Sequence, residues 1–153
     1  MIFWDSSAIV PLVVNEEETG YCLKTLTHDQ EMMIWCLTKV EITSALCRQV
    51  RDKRFGETEF RKARNRLNDL IERAYEIKAI EKVKQRALRL LEVHPLRAAD
   101  ACQLASALIA SQEDPGRMSM VCFDQRLKNA AMKEGFPVNP GKESTPYNSN
   151  STS

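Results

Sequence analysis

The sequence predicts an α/β fold, a central parallel sheet flanked by helices. Three observations point there. The runs Ile2-Phe3-Trp4, Met32-Met33-Ile34-Trp35-Cys36 and Met120-Val121-Cys122-Phe123 are continuously apolar and do not alternate with polar residues. Strands buried on both faces, as in a parallel sheet, read this way. Between these runs lie long stretches of helical period, and strands separated by helices imply right-handed crossovers. The length, 153 residues with 43% hydrophobic and 28% charged, suits one domain with its own core.

Taken in order, strand Ile2 to Trp4 is followed by a helix over about 17 to 28, then by strand Met32 to Cys36. Helices follow over about 38 to 53 and 56 to 75, and Gly56 breaks the pair into a hairpin. Two more cover about 80 to 93 and 98 to 112. In the latter, Ala101, Leu104, Ala105, Leu108 and Ile109 fall at i, i+3, i+4, i+7 and i+8, one core-facing stripe. Strand Met120 to Phe123, a helix over 125 to 134, and a short strand near Val138 introduced by Gly135-Phe136-Pro137 complete a domain over 1 to 141. Residues 142 to 153 are Ser, Thr, Asn, Pro and charge around Tyr147, which predicts a flexible C-terminal tail.

Several classes are excluded by what the chain lacks. The longest apolar stretch near the start, Ala8 to Val14 with Pro11 inside it, is far short of the roughly 18 to 20 residues that cross a bilayer. The start lacks the basic and apolar regions of a signal peptide, so a cytoplasmic location is expected. Cys22, Cys36, Cys47, Cys102 and Cys122 are an odd count without a C-x-x-C pair and read as reduced thiols. Net charge is +1, too small for indiscriminate nucleic-acid binding. Its distribution is uneven: residues 1 to 47 hold two basic groups against seven acids, net -5, whereas residues 48 to 66 hold eight against three, net +5. That strip is either a solvated helix face or a track for a phosphate backbone.

Asp5 and Asp124 each follow a strand, at the carboxyl ends where open parallel sheets bind ligands. Glu41 opens the helix after the second strand, and Asp100 sits in the first turn of the helix carrying Leu104, so both can reach the same edge. Capping and the helix dipole explain any one of these acids alone. Four together in one cleft repel and are driven towards protonation unless cations neutralise them. An all-oxygen set suits Mg²⁺ or Mn²⁺, not zinc. Competing chemistries lack their residues. Asp5 is followed by Ser6-Ser7 and not by the D-x-D of haloacid-type phosphatases, and no phosphate-binding glycine loop occurs among the five glycines. His28 and His94 have no metal spacing and read as surface or capping residues. Ser7 has no nucleophile elbow and reads as a cap or a neighbour of the metal ligands. Trp4, Trp35 and Phe123 read as core.

Asp5-Ser6-Ser7-Ala8, the acid in Val40-Glu41-Ile42-Thr43-Ser44-Ala45-Leu46, the segment Leu96-Arg97-Ala98-Ala99-Asp100-Ala101-Cys102-Gln103-Leu104-Ala105, and Phe123-Asp124-Gln125-Arg126-Leu127 together resemble the PIN-domain family, in its VapC type of toxin ribonuclease. The resemblance runs from about residue 1 to residue 140. It implies a PIN-like fold and makes Asp5, Glu41, Asp100 and Asp124 the metal-binding, catalytic acids. One departure stands out: many relatives carry Thr or Ser two residues before the last acid, where this chain has Cys122.

Residues and resemblance together lead us to expect a Mg²⁺-dependent (or Mn²⁺-dependent) endoribonuclease. One or two ions would be held by Asp5 and Asp100, completed by Glu41 and Asp124. Arg48, Arg51, Lys53 and Arg54 would steer the RNA backbone by charge. The resemblance further implies a homodimer, a cognate antitoxin that occludes the cleft, and action within bacteria or archaea. Two alternatives stay open at this stage: a catalytically silent PIN-fold module that acts with a DNA-binding antitoxin, and a housekeeping nuclease of RNA maturation.

Overall fold

A computed structural model describes residues 1 to 140, so the expected tail over 142 to 153 and the expected domain end at 141 lie outside the described residues. Five strands, β1 (Ile2–Trp4), β2 (Met32–Trp35), β3 (Tyr75–Ile77), β4 (Ser119–Val121) and β5 (Val138–Asn139), form one sheet in the order β3-β2-β1-β4-β5. Every pairing is parallel. The α-helices are α1 (Ser6–Val13), α2 (Thr19–His28), α3 (Thr38–Arg51), α4 (Glu57–Arg73), α5 (Ile80–Val93), α6 (Ala98–Ala110) and α7 (Gln125–Lys133).

The missing alternation in the strand runs now has its cause. Phe3 packs into a core with Leu90 of α5, Leu104 and Leu108 of α6 and Leu127 of α7. Its neighbours Ile2 and Trp4 enter the opposite core with Ile9 of α1, Ile42 and Leu46 of α3 and Leu67 of α4. Successive side chains of a strand point to opposite faces, so a sheet covered on both sides needs apolar residues at every position. Leu104 and Leu108 of the α6 stripe are buried as expected, and Ile109 is half-buried.

Five expectations need correction. Ala8 to Val14, read only as an apolar run, falls largely within α1, which starts at Ser6, is capped by Asp5 and accommodates Pro11. The helix expected over 56 to 75 ends at Arg73, and Tyr75–Ile77 becomes the edge strand β3, paired with β2 alone. Cys36 and Phe123 fall just outside their strands. Phe123 is half-buried, edge-on to the Tyr21 ring at 6.1 Å, and so is not a full core residue. Helix α6 stops at Ala110 instead of 112, because Gln112 and Glu113 take left-handed φ values of 56° and 58°. All five cysteines are free, with Cys22 and Cys122 buried. His94 caps the end of α5 and is buried, its Nε2 lying 2.6 Å from Glu134 Oε1. Among the described residues, no helix is long and apolar enough to cross a membrane.

Candidate active site

In this strand order β1 runs to β2 on one side and to β4 on the other, so the chain reverses direction of winding at β1 and β4. Open α/β sheets hold their ligands in the crevice outside the carboxyl ends at that switch point. Asp5 leaves β1 there and Asp124 follows β4 there.

Asp5 caps α1, and burial leaves it only 4% exposed. Its Oδ2 accepts from the Ser7 N–H at 3.0 Å and from the Ser7 hydroxyl at 2.5 Å, with Cys122 Sγ at 3.7 Å. Ser7 Oγ in turn accepts the Phe123 N–H at 3.0 Å, which ties the end of β1 to the loop that carries Asp124. Cys122, which stands where the resemblance leads one to expect Thr or Ser, places Sγ 3.4 Å from the Asp124 carbonyl oxygen. Asp124 caps α7 through Oδ1 and the Leu127 N–H at 2.9 Å, and its side chain is exposed. Asp100, in the first turn of α6, reaches back to the Arg97 N–H at 3.4 Å. Capping, the ordinary explanation of such acids, therefore holds for Asp5 and Asp124, and for Asp100 through its bond to the Arg97 N–H. Glu41 caps nothing. Its Oε2 accepts from Ser6 Oγ at 2.8 Å, and Gln103 Nε2 stands 3.3 Å from each carboxylate oxygen.

Three of the four acids are raised, first by burial and each in part by a neighbouring acid. Burial pushes Asp5 above its ordinary value of 3.8, opposed by the Ser7 bonds and reinforced by the charge of Asp100. Burial likewise raises Glu41, with Asp5 and Asp100 adding to the rise. Asp100 is raised by burial and by Asp124, while Arg97 and Arg126 pull it down. Among the described residues, none of the four makes an ion pair within 4.0 Å. Nor do any three His, Cys, Asp or Glu side chains among them converge tightly enough to enclose an ion as they stand. The donor set nonetheless fits a hard divalent cation: all oxygen, anionic, partly desolvated and, among the described residues, without a direct ion pair.

A pH dependence follows for metal-free protein. The folded state keeps protons on Asp5, Glu41 and Asp100 at pH values where the unfolded chain has lost them. Each raised group thus contributes stability that is complete below the ordinary carboxylate range and lost as pH rises through its elevated value. With a chelator present, Asp5→Asn is expected to gain in melting temperature relative to wild type as pH climbs from about 4 to about 7. A difference that stays constant across that range would show that Asp5 carries no such burden.

Arg48, Arg51, Lys53 and Arg54 are exposed, at the far end of α3 and in the turn to α4. Ten residues of helix separate Glu41 from Arg51, roughly 15 Å along the axis, so the basic strip is not gathered with the acids. Sequence reasoning assigned no role to the cations that stand near them, Arg97 and Arg126, both exposed. It also passed over Ser6, Thr38 and Gln103. The available signal was a glutamine set among Ala101, Leu104 and Ala105 of the helix's core-facing stripe.

A family model described as PIN domain matches residues 2 to 133. Two Mycobacterium tuberculosis proteins, Ribonuclease VapC45 of strain CDC 1551 / Oshkosh and Ribonuclease VapC49 of strain H37Rv, are each 31% identical over 144 residues, 93% of this chain and 96% of theirs. Among solved structures, PAE2754 from Pyrobaculum aerophilum superposes with a TM-score of 0.58 at 20% identity, over 84% of this chain and 83% of that one, a likeness of fold.

Proposed function

The chain belongs to the PIN domain family, alongside relatives named as VapC ribonucleases, and from that premise we propose that it is a metal-dependent endoribonuclease. The observation that carries the reading is four carboxylates from four separate segments near the carboxyl edge of the sheet, three of them raised by burial and by neighbouring acids, and none in an ion pair among the described residues. Asp5 and Asp100 would hold Mg²⁺ or Mn²⁺, with Glu41 and Asp124 completing the set. Bound there, such an ion supplies an acidified water and neutralises charge developing on a phosphodiester.

The chain's own residues supply the rest. Ser7, bonded at once to Asp5 and to the Phe123 N–H, fixes the Asp5 carboxylate relative to the Asp124 loop. Arg97 and Arg126, at the starts of α6 and α7, put positive charge where a phosphate would otherwise meet only acids. Arg48, Arg51, Lys53 and Arg54 extend that attraction along α3, contacting backbone phosphates without reading bases. In the same reading the protein is the toxin of a toxin-antitoxin pair, a cytoplasmic homodimer whose antitoxin covers the acidic edge.

Purified protein is expected to cut single-stranded RNA with Mg²⁺ and to stop when the metal is chelated. Absence of cleavage across total cellular RNA, by protein that is folded and metal-loaded, would favour a silent binding module. For the basic strip, Lys53→Glu/Arg54→Glu is expected to flatten the slope of log binding constant against log salt by on the order of one unit, at roughly 0.7 per phosphate contact. Turnover at saturating RNA should persist. An unchanged slope would leave the strip a solvated helix face.

A further inference from the structure

Gln103 is 1% exposed, on a helix whose neighbouring positions Ala101, Leu104, Ala105, Ala107 and Leu108 are apolar and buried. Its Nε2 lies 2.8 Å from Ser6 Oγ, 3.1 Å from Thr38 Oγ1 and 3.3 Å from both oxygens of Glu41. Its Oε1 is buried and has no hydrogen-bond partner among the described residues. An amide that leaves its carbonyl unsatisfied so that its N–H groups can face a carboxylate has had its orientation set by that carboxylate. Turned the other way, it would press oxygen against oxygen.

The connections run further. Gln103 is one turn beyond Asp100 on α6, Ser6 adjoins Asp5 in sequence, and Ser6 donates to Glu41 at 2.8 Å. One side chain thus links the segments that carry three of the four acids. We propose that Gln103 is a positioning residue that, through its bonds to Ser6, Thr38 and Glu41, fixes Glu41 relative to Asp5 and Asp100 for divalent-cation binding. The proposal rests on the reading of the acids as a metal centre. Partners that orient a ligand in this way typically govern metal affinity by 10-fold to 100-fold, that is by about one to two decades.

The test is Mn²⁺ binding to the full-length protein by calorimetry, with melting temperature recorded in parallel. Gln103→Leu keeps similar bulk but removes the donor, and is expected to weaken Mn²⁺ binding by about 10-fold or more. Gln103→His keeps a ring N–H and should retain most of the wild-type affinity. Should Gln103→Leu not fold, Ser6→Ala, which removes only the hydroxyl link, is expected to lower Mn²⁺ affinity in a folded protein. Wild-type Mn²⁺ affinity in a folded Gln103→Leu, whatever its melting temperature, overturns the positioning role and leaves the metal centre intact, as does wild-type affinity in Ser6→Ala where Gln103→Leu cannot be tested. Failure of the wild-type protein to bind Mn²⁺ at all overturns the metal reading and this proposal with it.

Discussion

Asp5→Asn is expected to reduce RNA cleavage by on the order of 10³-fold or more, because metal-assisted charge stabilisation supplies several kcal/mol and each 1.36 kcal/mol is tenfold in rate. The fold should survive. Asn preserves the shape and an oxygen acceptor for the Ser7 N–H and hydroxyl, so the cap on α1 persists while the charge is lost. No core cavity opens, and in metal-free protein the removal of a buried anion relieves repulsion from Asp100. Asp100→Asn should behave alike. Cleavage assays run beside circular dichroism and thermal melts decide the matter. An Asp100→Asn protein that is folded, loads metal and cuts RNA at the wild-type rate would remove these acids from the mechanism.

Millimolar Mg²⁺ or Mn²⁺ is expected to stabilise the wild-type protein strongly. A ligand bound only by the native state adds RT ln(1 + [L]/Kd), about 2.7 kcal/mol at a hundred times Kd, and about 2 to 4 °C per kcal/mol makes this a rise of roughly 5 to 10 °C. The quadruple variant Asp5→Asn/Glu41→Gln/Asp100→Asn/Asp124→Asn should show no such rise. Equal responses of the two proteins to metal would mean that the ion acts elsewhere on the surface. Four acids that lack an ion-pair partner among the described residues provide the driving force: the ion neutralises a repulsion that folding itself creates.

The parallel sheet was legible because Phe3 and its neighbours Ile2 and Trp4 each need an apolar side chain, on opposite faces. The placement of Asp5 and Asp124 at strand ends was legible for the same reason. Helix α1 was hidden by Pro11, which reads as a breaker although the helix is short enough to carry it near its middle. Strand β3 was hidden by its position. Tyr75-Glu76-Ile77 pairs with β2 alone at the sheet edge, and three partly exposed residues carry no apolar run to mark them. Gln103 was invisible for a different reason: its significance lies in Ser6, Thr38 and Glu41, which come from other segments and meet it only in three dimensions.

The central place of β1 has a consequence for how the protein comes into being. During synthesis β2 follows β1 within about thirty residues, but β4, on the other side of β1, follows only after β2, β3 and helices α1 to α6. Asp5 and Cys122, in contact in the folded protein, are 117 residues apart. Such non-local pairing is slow to form because loop closure precedes any gain from contact. A nascent or prematurely terminated chain that lacks β4 therefore carries Asp5 and Glu41 without Asp124. Until β4 is made, the four acids cannot be gathered at one edge of the sheet.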